Sequence, residues 1–220
     1  PEIMLAVVAF VALLLDLVSL RRSAYTLRTQ TLGMVAICSL LAAGVPLTQQ
    51  LGEGQPAYAF LGRTLIVNNL TATFNLVIVG LTILTVIISM ETDLGRHVGE
   101  YYATLLFGAI GMMLLVSTEE LVTIFVALEL TSICLYILTA FHKGALRSQE
   151  AAVKYFMFGA ISSAFLLFGL SYVYGVAGTT DLRELVKVIQ AGNLSLLMVV
   201  GLLFTRSEEH TSELQSPYVI

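Results

Sequence analysis

Residues 121–138 read LVTIFVALELTSICLYIL, eighteen positions with a single charge, Glu129. A helix of about 20 mostly apolar residues crosses the hydrocarbon core of a bilayer, and this run has that length and character. The glutamate is the exception, because a carboxylate at mid-bilayer costs at least roughly 2.5–3.5 kcal/mol even on the gentlest scale. The rest of the chain repeats the apolar pattern. Of its 220 residues, 57% are hydrophobic and 12% charged, with mean hydropathy +0.89, where a soluble domain carries about 25% charged residues. The spacing predicts helices near 3–20, 31–51, 69–91, 101–118, 120–141 and 150–175, then a seventh that starts near Leu194 and is interrupted. No ten-residue alternation of the membrane-barrel kind is present. The expected fold is all-α, a polytopic transmembrane bundle of six complete helices plus an interrupted seventh, with the bilayer as its solvent.

Several function classes drop out. The two cysteines, Cys38 and Cys134, sit in apolar runs and are too few for an iron–sulfur or structural zinc set, so both read as core residues. Neither a G-x-G-x-x-G fingerprint nor a phosphate loop occurs, so nucleotide and flavin should not bind this chain. No metal site, no catalytic redox residue and no nucleic-acid partner is expected. The first run, IMLAVVAFVALLLDLVSL, lacks a basic n-region and a small-residue cleavage site and reads as a retained helix. Pro1 is not an initiator methionine, so the natural start is expected upstream. Residues 206–220, RSEEHTSELQSPYVI, break from the apolar run before them, and RSEEHTSELQS resembles one reading frame of a sequencing-library adapter. The expected division is a membrane domain over 1–205 and a non-native tail over 206–220, with a native polar C-terminal tail as the alternative. The tail holds Arg206, Glu208, Glu209 and Glu213, so without it the net charge moves from −4 to −2.

The connections carry the charges and turn residues, among them RRSAYTLRTQ, GEGQPAYAFLGR, STEE, HKGALRSQE and GVAGTTDLRELVKVIQAGN, the last with room for a short amphipathic helix. Cytoplasmic loops are enriched in Lys and Arg. The odd loops hold Arg21, Arg22, Arg28, Arg96, Lys143 and Arg147, and the even loops Arg63, Arg183 and Lys187, which favours an external N-terminus. Asn68, Thr71, Asn75, Thr82 and Ser89 fall within an arc of roughly 60° on the third helix. Such a stripe makes interhelical hydrogen bonds or lines a water path, and the former is favoured. Asp16, one turn before Arg21 and Arg22, reads as a structural helix-end acid. Glu119 and Glu120, in the external turn, read as solvated.

Glu129 lies about ten residues from the nearest helix end and cannot snorkel. Ser132, Tyr136 and Thr139 share its face within about 80° and lead toward the cytoplasm. A mid-membrane acid with hydroxyls on one side suits a proton relay; a packing role alone is the competing account. Lys154 is the second intramembrane charge, with Glu150 one turn before it in the favourable order for a helix ion pair. A simple hairpin of helices five and six puts Glu129 level with Ser162 and Ser163. It offsets Glu129 from Lys154 by about eight residues, or roughly 12 Å, so no direct bridge is expected.

The run GEYYATLLFGAIGMMLLVSTEELVTIFVALELTSICLYILTAF with RSQEAAVKYFMFGAISSAFLLFGLSYVYG resembles the subunit N (subunit 2) family of proton-pumping NADH:quinone oxidoreductase, and PEIMLAVVAFVALLLDL resembles the first helix of its bacterial members. The combination L-E-L in helix five with E-A-A-x-K-Y in helix six carries the likeness, over residues 1–204. The resemblance implies the N-terminal half of an antiporter-like inverted-repeat fold in a bacterial inner membrane, beside other membrane-arm subunits. NADH, flavin, iron–sulfur clusters and quinone would lie in partner subunits. Glu129 matches the family's essential glutamate, and Lys154 a lysine of debated role. Glu150, Ser132, Tyr136 and Ser162 are candidates for the proton path or its support. The family also places a buried lysine shortly after a G-L-L-F sequence; here GLLF at 201–204 is followed by Thr205 and the tail. The rivals are a multisubunit cation/proton antiporter or membrane-bound hydrogenase subunit, and a non-transporting scaffold.

Overall fold

The computed structural model describes residues 1–18, 25–53, 58–60, 64–92, 97–191 and 195–213, without side-chain detail at 52–60 and 206–213. Its helices are α1 (Glu2–Val18), α2 (Tyr25–Glu53), α3 (Asn69–Ser89), α4 (Val98–Ser117), α5 (Leu121–Thr139), α6 (Leu146–Ala177), α7 (Leu182–Gln190) and α8 (Leu196–Glu213). Five of them, α2 to α6, are long and apolar enough to cross a membrane, and α1, at 17 residues, reaches the lower limit of span length. The polytopic all-α expectation holds, as does the short amphipathic helix, α7, in the connection after α6.

Local chemistry sets the boundaries. Asn68 is the N-cap of α3 rather than part of its polar stripe: its side chain accepts from the Thr71 amide at 2.8 Å, and the Thr71 hydroxyl accepts from the Asn68 amide at 2.9 Å. This capping box satisfies two amides that a helix start leaves unpaired. Gly178, at φ 68°, ends α6 with its amide donating to the Tyr174 carbonyl, a left-handed terminus that glycine adopts without a Cβ penalty.

Two starts and one connection differ from the sequence reading. α2 begins at Tyr25 and α6 at Leu146, so Arg28 and Arg147 are helical. Polar composition suggested loops there, but neither 25–30 nor 146–149 contains a helix breaker. Ser148 also donates to the Thr139 carbonyl at 2.6 Å and ties the start of α6 to the end of α5. In the α2–α3 connection, strands β1 (Tyr58–Phe60) and β2 (Leu65–Val67) pair as an antiparallel ribbon, and Leu65 bridges to Thr118. Arg21, Arg22, Arg63 and Arg96 lie outside the described residues.

The packing divides into two clusters. α1 to α4 enclose the larger core, which includes Leu5, Leu32, Leu40, Val86, Tyr102, Leu106 and Met113. Leu121, Val173, Leu185 and Met198 form a smaller one where α5 starts and α6, α7 and α8 meet. α6 and α8 touch backbone to backbone: a Cβ on Gly169 would lie 2.7 Å from the Gly201 carbonyl oxygen. Small residues at such crossings let membrane helices gain dispersion contact where the hydrophobic effect supplies no drive. Of the cysteines, Cys134 is buried as expected; Cys38 is exposed. On an apolar helix the lipid-facing side accepts a small apolar residue without protein cover, so the run around Cys38 did not imply burial.

Candidate functional site

Glu129 is the ninth residue of the 19-residue α5. The helix is fixed from behind by α4. A Cβ on Gly111 would collide with the Thr131 hydroxyl and come within 3.0 Å of the Thr131 nitrogen and 3.1 Å of the Ala127 carbonyl oxygen, and one on Gly108 would lie 3.4 Å from the Cys134 Cβ. Ala127, Thr131 and Cys134 lie about 140–160° around the helix from Glu129. The glutamate therefore points away from α4. On its own side, within about 40°, are Phe125 and Tyr136, and both face α6. Tyr136 packs edge-on against Tyr155 and Phe156, with ring centroids 4.8 and 5.7 Å apart, and Phe125 shares a groove of about 510 Å³ with Leu167 and Leu170. Glu129 thus opens onto the α5–α6 seam, half-buried and with no hydrogen bond or ion pair to another described residue.

Ser162 is buried on α6, and Ser132 is half-buried on α5. Lys154 stands apart. It is 55% exposed in this chain and pairs with Glu150 at 2.7 Å, and it lies about 140° around α6 from Gly159, which touches Tyr136. Glu129 and Lys154 are not brought together, as the hairpin register predicts.

The remaining polar residues find partners that the sequence did not reveal. Asp16 pairs through both oxygens with the Arg28 guanidinium of α2 and accepts the Gly99 amide of α4 at 3.1 Å, joining three helices. The nearer Arg21 and Arg22, suggested by proximity, lie outside the described residues. A cleft of about 600 Å³ borders this pair, lined in part by Leu13, Leu17, His97 and Glu100. Asn75 donates to the Ser117 hydroxyl at 3.2 Å, an interhelical bond within the stripe, whereas Thr82 and Ser89 bond carbonyls of their own helix.

Glu119 and Glu120 are not merely solvated. Glu119 pairs with Arg183 of α7, which raises the guanidinium pKa chiefly through that hydrogen bond. Glu120 caps α5 by accepting the Thr123 amide at 2.8 Å. Burial pushes its pKa up, but hydrogen bonds from Thr123, Thr180 and Val122 outweigh that and leave it lowered. Backbone bonds from Leu121 to Thr180 at 2.8 Å and from Leu182 to Glu119 at 3.0 Å complete the tie. Long-range partners of this kind leave no local signature in a four-residue turn. Among the described residues no three His, Cys, Asp or Glu side chains converge as a metal site would need.

Residues 118–207 match the family described as NADH:quinone oxidoreductase/Mrp antiporter, TM. NADH-quinone oxidoreductase subunit N 2 of Acidobacterium capsulatum is 36% identical over 213 residues, which cover 92% of this chain and 42% of that protein. The chain is a relative of NADH-quinone oxidoreductase subunit N. The subunit N of Moorella thermoacetica is 45% identical over 111 residues, covering 50% of this chain and 23% of that protein. Among solved structures, respiratory complex I from Thermus thermophilus superposes with TM-score 0.71 and 29% identity over 93% of this chain and 42% of that one. An archaeal membrane-bound sulfane sulfur reductase superposes with TM-score 0.76 at 23% identity, over 93% of this chain and 43% of that one, a likeness of fold alone. This subunit N relative spans about 42% of the length of Acidobacterium subunit N 2. The family match, from residue 118, takes in α5 with Glu129 and α6 with Lys154 and Ser162.

Proposed function

We propose that the full-length protein is a proton-translocating membrane subunit of an NADH:quinone oxidoreductase, in which Glu129 takes up and releases the proton. The observation that carries this reading is an ionisable carboxylate at mid-span, held from behind by the Gly111–Thr131 crossing and facing a seam instead of an ion-pair partner. Intramembrane acids of this kind mark ion paths because their cost is otherwise uncompensated. Oxidation of NADH and reduction of quinone belong, on this reading, to partner subunits with their flavin and iron–sulfur clusters. The protein sits in a bacterial inner membrane with its N-terminus outside.

The register of α8 adds a position. Carrying the Gly169–Gly201 approach seven residues along both helices brings position 208 beside Ser162, which the hairpin register sets level with Glu129. A lysine near there would lower the proton affinity of the glutamate when close and raise it when withdrawn. The residues now at 206–220 are read as non-native, and the gene sequence beyond Phe204 tests this directly. Lys154, exposed and paired with Glu150, is the weaker site candidate. The alternative of a cation/proton antiporter subunit keeps the same glutamate but requires different neighbours. The subunit N identity of the relatives favours the oxidoreductase.

The test is Glu129→Gln in the full-length protein within its complex, reconstituted in sealed vesicles. NADH-driven proton uptake should collapse while the complex assembles normally. Wild-type coupled uptake in that variant would remove the assignment.

A further inference from the structure

The end of the bundle where α4 begins, opposite the Glu119–Arg183 tie, holds the cleft of about 600 Å³, which proton carriage at Glu129 does not use. Three helices wall it: the last turns of α1, the first turn of α2 and the start of α4. Two kinds of surface meet there. Leu14 and Leu17 line one side and are 60% and 61% exposed. Both lie within about one turn of the end of the α1 span, where acyl chains give way to headgroups.

The polar side presents one cationic and one anionic group. Asp16 is engaged inward, accepting from Arg28 Nε and Nη2 and from the Gly99 amide. A guanidinium has five N–H donors. Two of those on Arg28 go to Asp16, and the other three make no hydrogen bond to a described residue, while the side chain lines the cleft. Glu100 is 54% exposed. One of its carboxylate oxygens meets His97 Nδ1 at 2.9 Å. The other, Oε2, stands 3.9 Å from the Lys143 ammonium, beyond hydrogen-bond reach, and is open to a closer cation.

An available guanidinium edge and an available carboxylate oxygen beside an apolar wall select among membrane-surface ligands. Free phosphate would leave both the leucines and Glu100 unmatched. A phosphoglycerol headgroup brings no cation to Glu100, and a choline headgroup brings methyl groups where Oε2 accepts a hydrogen bond. A primary ammonium linked to a phosphodiester answers both groups. We propose that this cleft binds one phospholipid with a phosphoethanolamine headgroup. Its phosphate accepts from Arg28, its ammonium donates to Glu100 Oε2, and its acyl chains run along Leu13, Leu14 and Leu17. Both polar contacts are charge-assisted, the stronger class of hydrogen bond. The lipid then spans the mouth between α1, α2 and α4, and nothing in this assignment depends on the role of Glu129.

The experiment uses the full-length protein within its complex, reconstituted in phosphatidylcholine vesicles with a trace of phosphatidylethanolamine carrying a photoreactive acyl chain. Labelling of residues 13–17 is read by peptide mass spectrometry while unlabelled lipid is titrated in. Unlabelled phosphatidylethanolamine should displace the label on the order of tenfold more effectively than phosphatidylglycerol or further phosphatidylcholine, the worth of one hydrogen bond to a charged group. Soluble phosphoethanolamine, which lacks the chains, should not displace it. Glu100→Gln should erase the preference among the three lipids, whereas Glu184→Gln, on α7 at the opposite end, should leave it intact. Equal displacement by the three lipids would mean boundary lipid only and would overturn the proposal. So would absence of label at residues 13–17, displacement by the soluble headgroup, or an unchanged preference in Glu100→Gln. If Glu100→Gln fails to assemble, the wild-type competition decides alone.

Discussion

Replacing Asp16 by alanine removes the acceptor for three donors at once: Arg28 Nε, Arg28 Nη2 and the Gly99 amide. The side chains of Arg28 and Asp16 are 14% and 9% exposed, so the guanidinium left behind is largely enclosed. Breaking one partner out of a buried ion pair typically costs about 3–5 kcal/mol, mostly from the stranded charge. Here the adjoining cleft of about 600 Å³ has room for water to rehydrate the guanidinium, which brings the expected loss down to about 2–3 kcal/mol. Asp16→Asn keeps an acceptor for the Gly99 amide and should cost about 1–2 kcal/mol.

Reversible unfolding in mixed detergent micelles, followed by helical circular dichroism, reads these losses directly. A second comparison separates a stranded charge from lost packing. Substituting Arg28→Met in the Asp16→Ala background removes the uncompensated cation and should recover most of the stability, since an apolar pair often matches a buried ion pair. An Asp16→Ala loss below about 0.5 kcal/mol, or a further loss on adding Arg28→Met, would refute the view that this pair fastens α1, α2 and α4 by its charge.

Gly111→Val should displace α5 from α4, because the obstacles at that crossing include the backbone atoms Thr131 N and Ala127 O; the expected cost is about 1–3 kcal/mol of overpacking, checked by the same micelle unfolding. Glu120 gives a pH signature. Its folded pKa lies below the ordinary 4.5, so its contribution is complete above that value and is lost as pH falls through the depressed folded value. Hydrogen exchange at the Thr123 amide should accelerate across that acid window in the wild type, relative to neighbouring helical amides, and show no such step in Glu120→Ala.

Much of the bundle was legible because a bilayer imposes one rule on every span, and each apolar run met it. Glu129 was legible for the same reason, as the one charge in 121–138. Long-range contacts have no such rule. Arg28 lies among polar neighbours that read as a loop, yet it is helical and pairs with a carboxylate twelve residues earlier. Glu119 finds its partner 64 residues away in Arg183, and β1 hides in a segment rich in Gly and Pro that reads as an open loop. Gly159 gave no signal at all, since a glycine in an apolar run does not say which side chain will approach it.

The two faces of α5 meet different surroundings. The face toward α4 is close-packed through Thr131 and Cys134 against Gly111 and Gly108, and a charge there would meet helix backbone. The face toward α6 carries Phe125, Glu129 and Tyr136, and the groove beside Phe125 leaves space. A carboxylate that must exchange protons needs a fixed carbon frame and a changeable surrounding; α5 supplies the first from α4 and the second from the seam. The Glu119–Arg183 pair and the backbone bonds from Leu121 to Thr180 and from Leu182 to Glu119 fasten one end of that seam to α7. Toward the other end, Tyr136 closes on Gly159 and Ser148 binds the Thr139 carbonyl at the turn. The seam is thus fastened at both ends, and its open volume lies between them, beside Phe125, about one turn from Glu129.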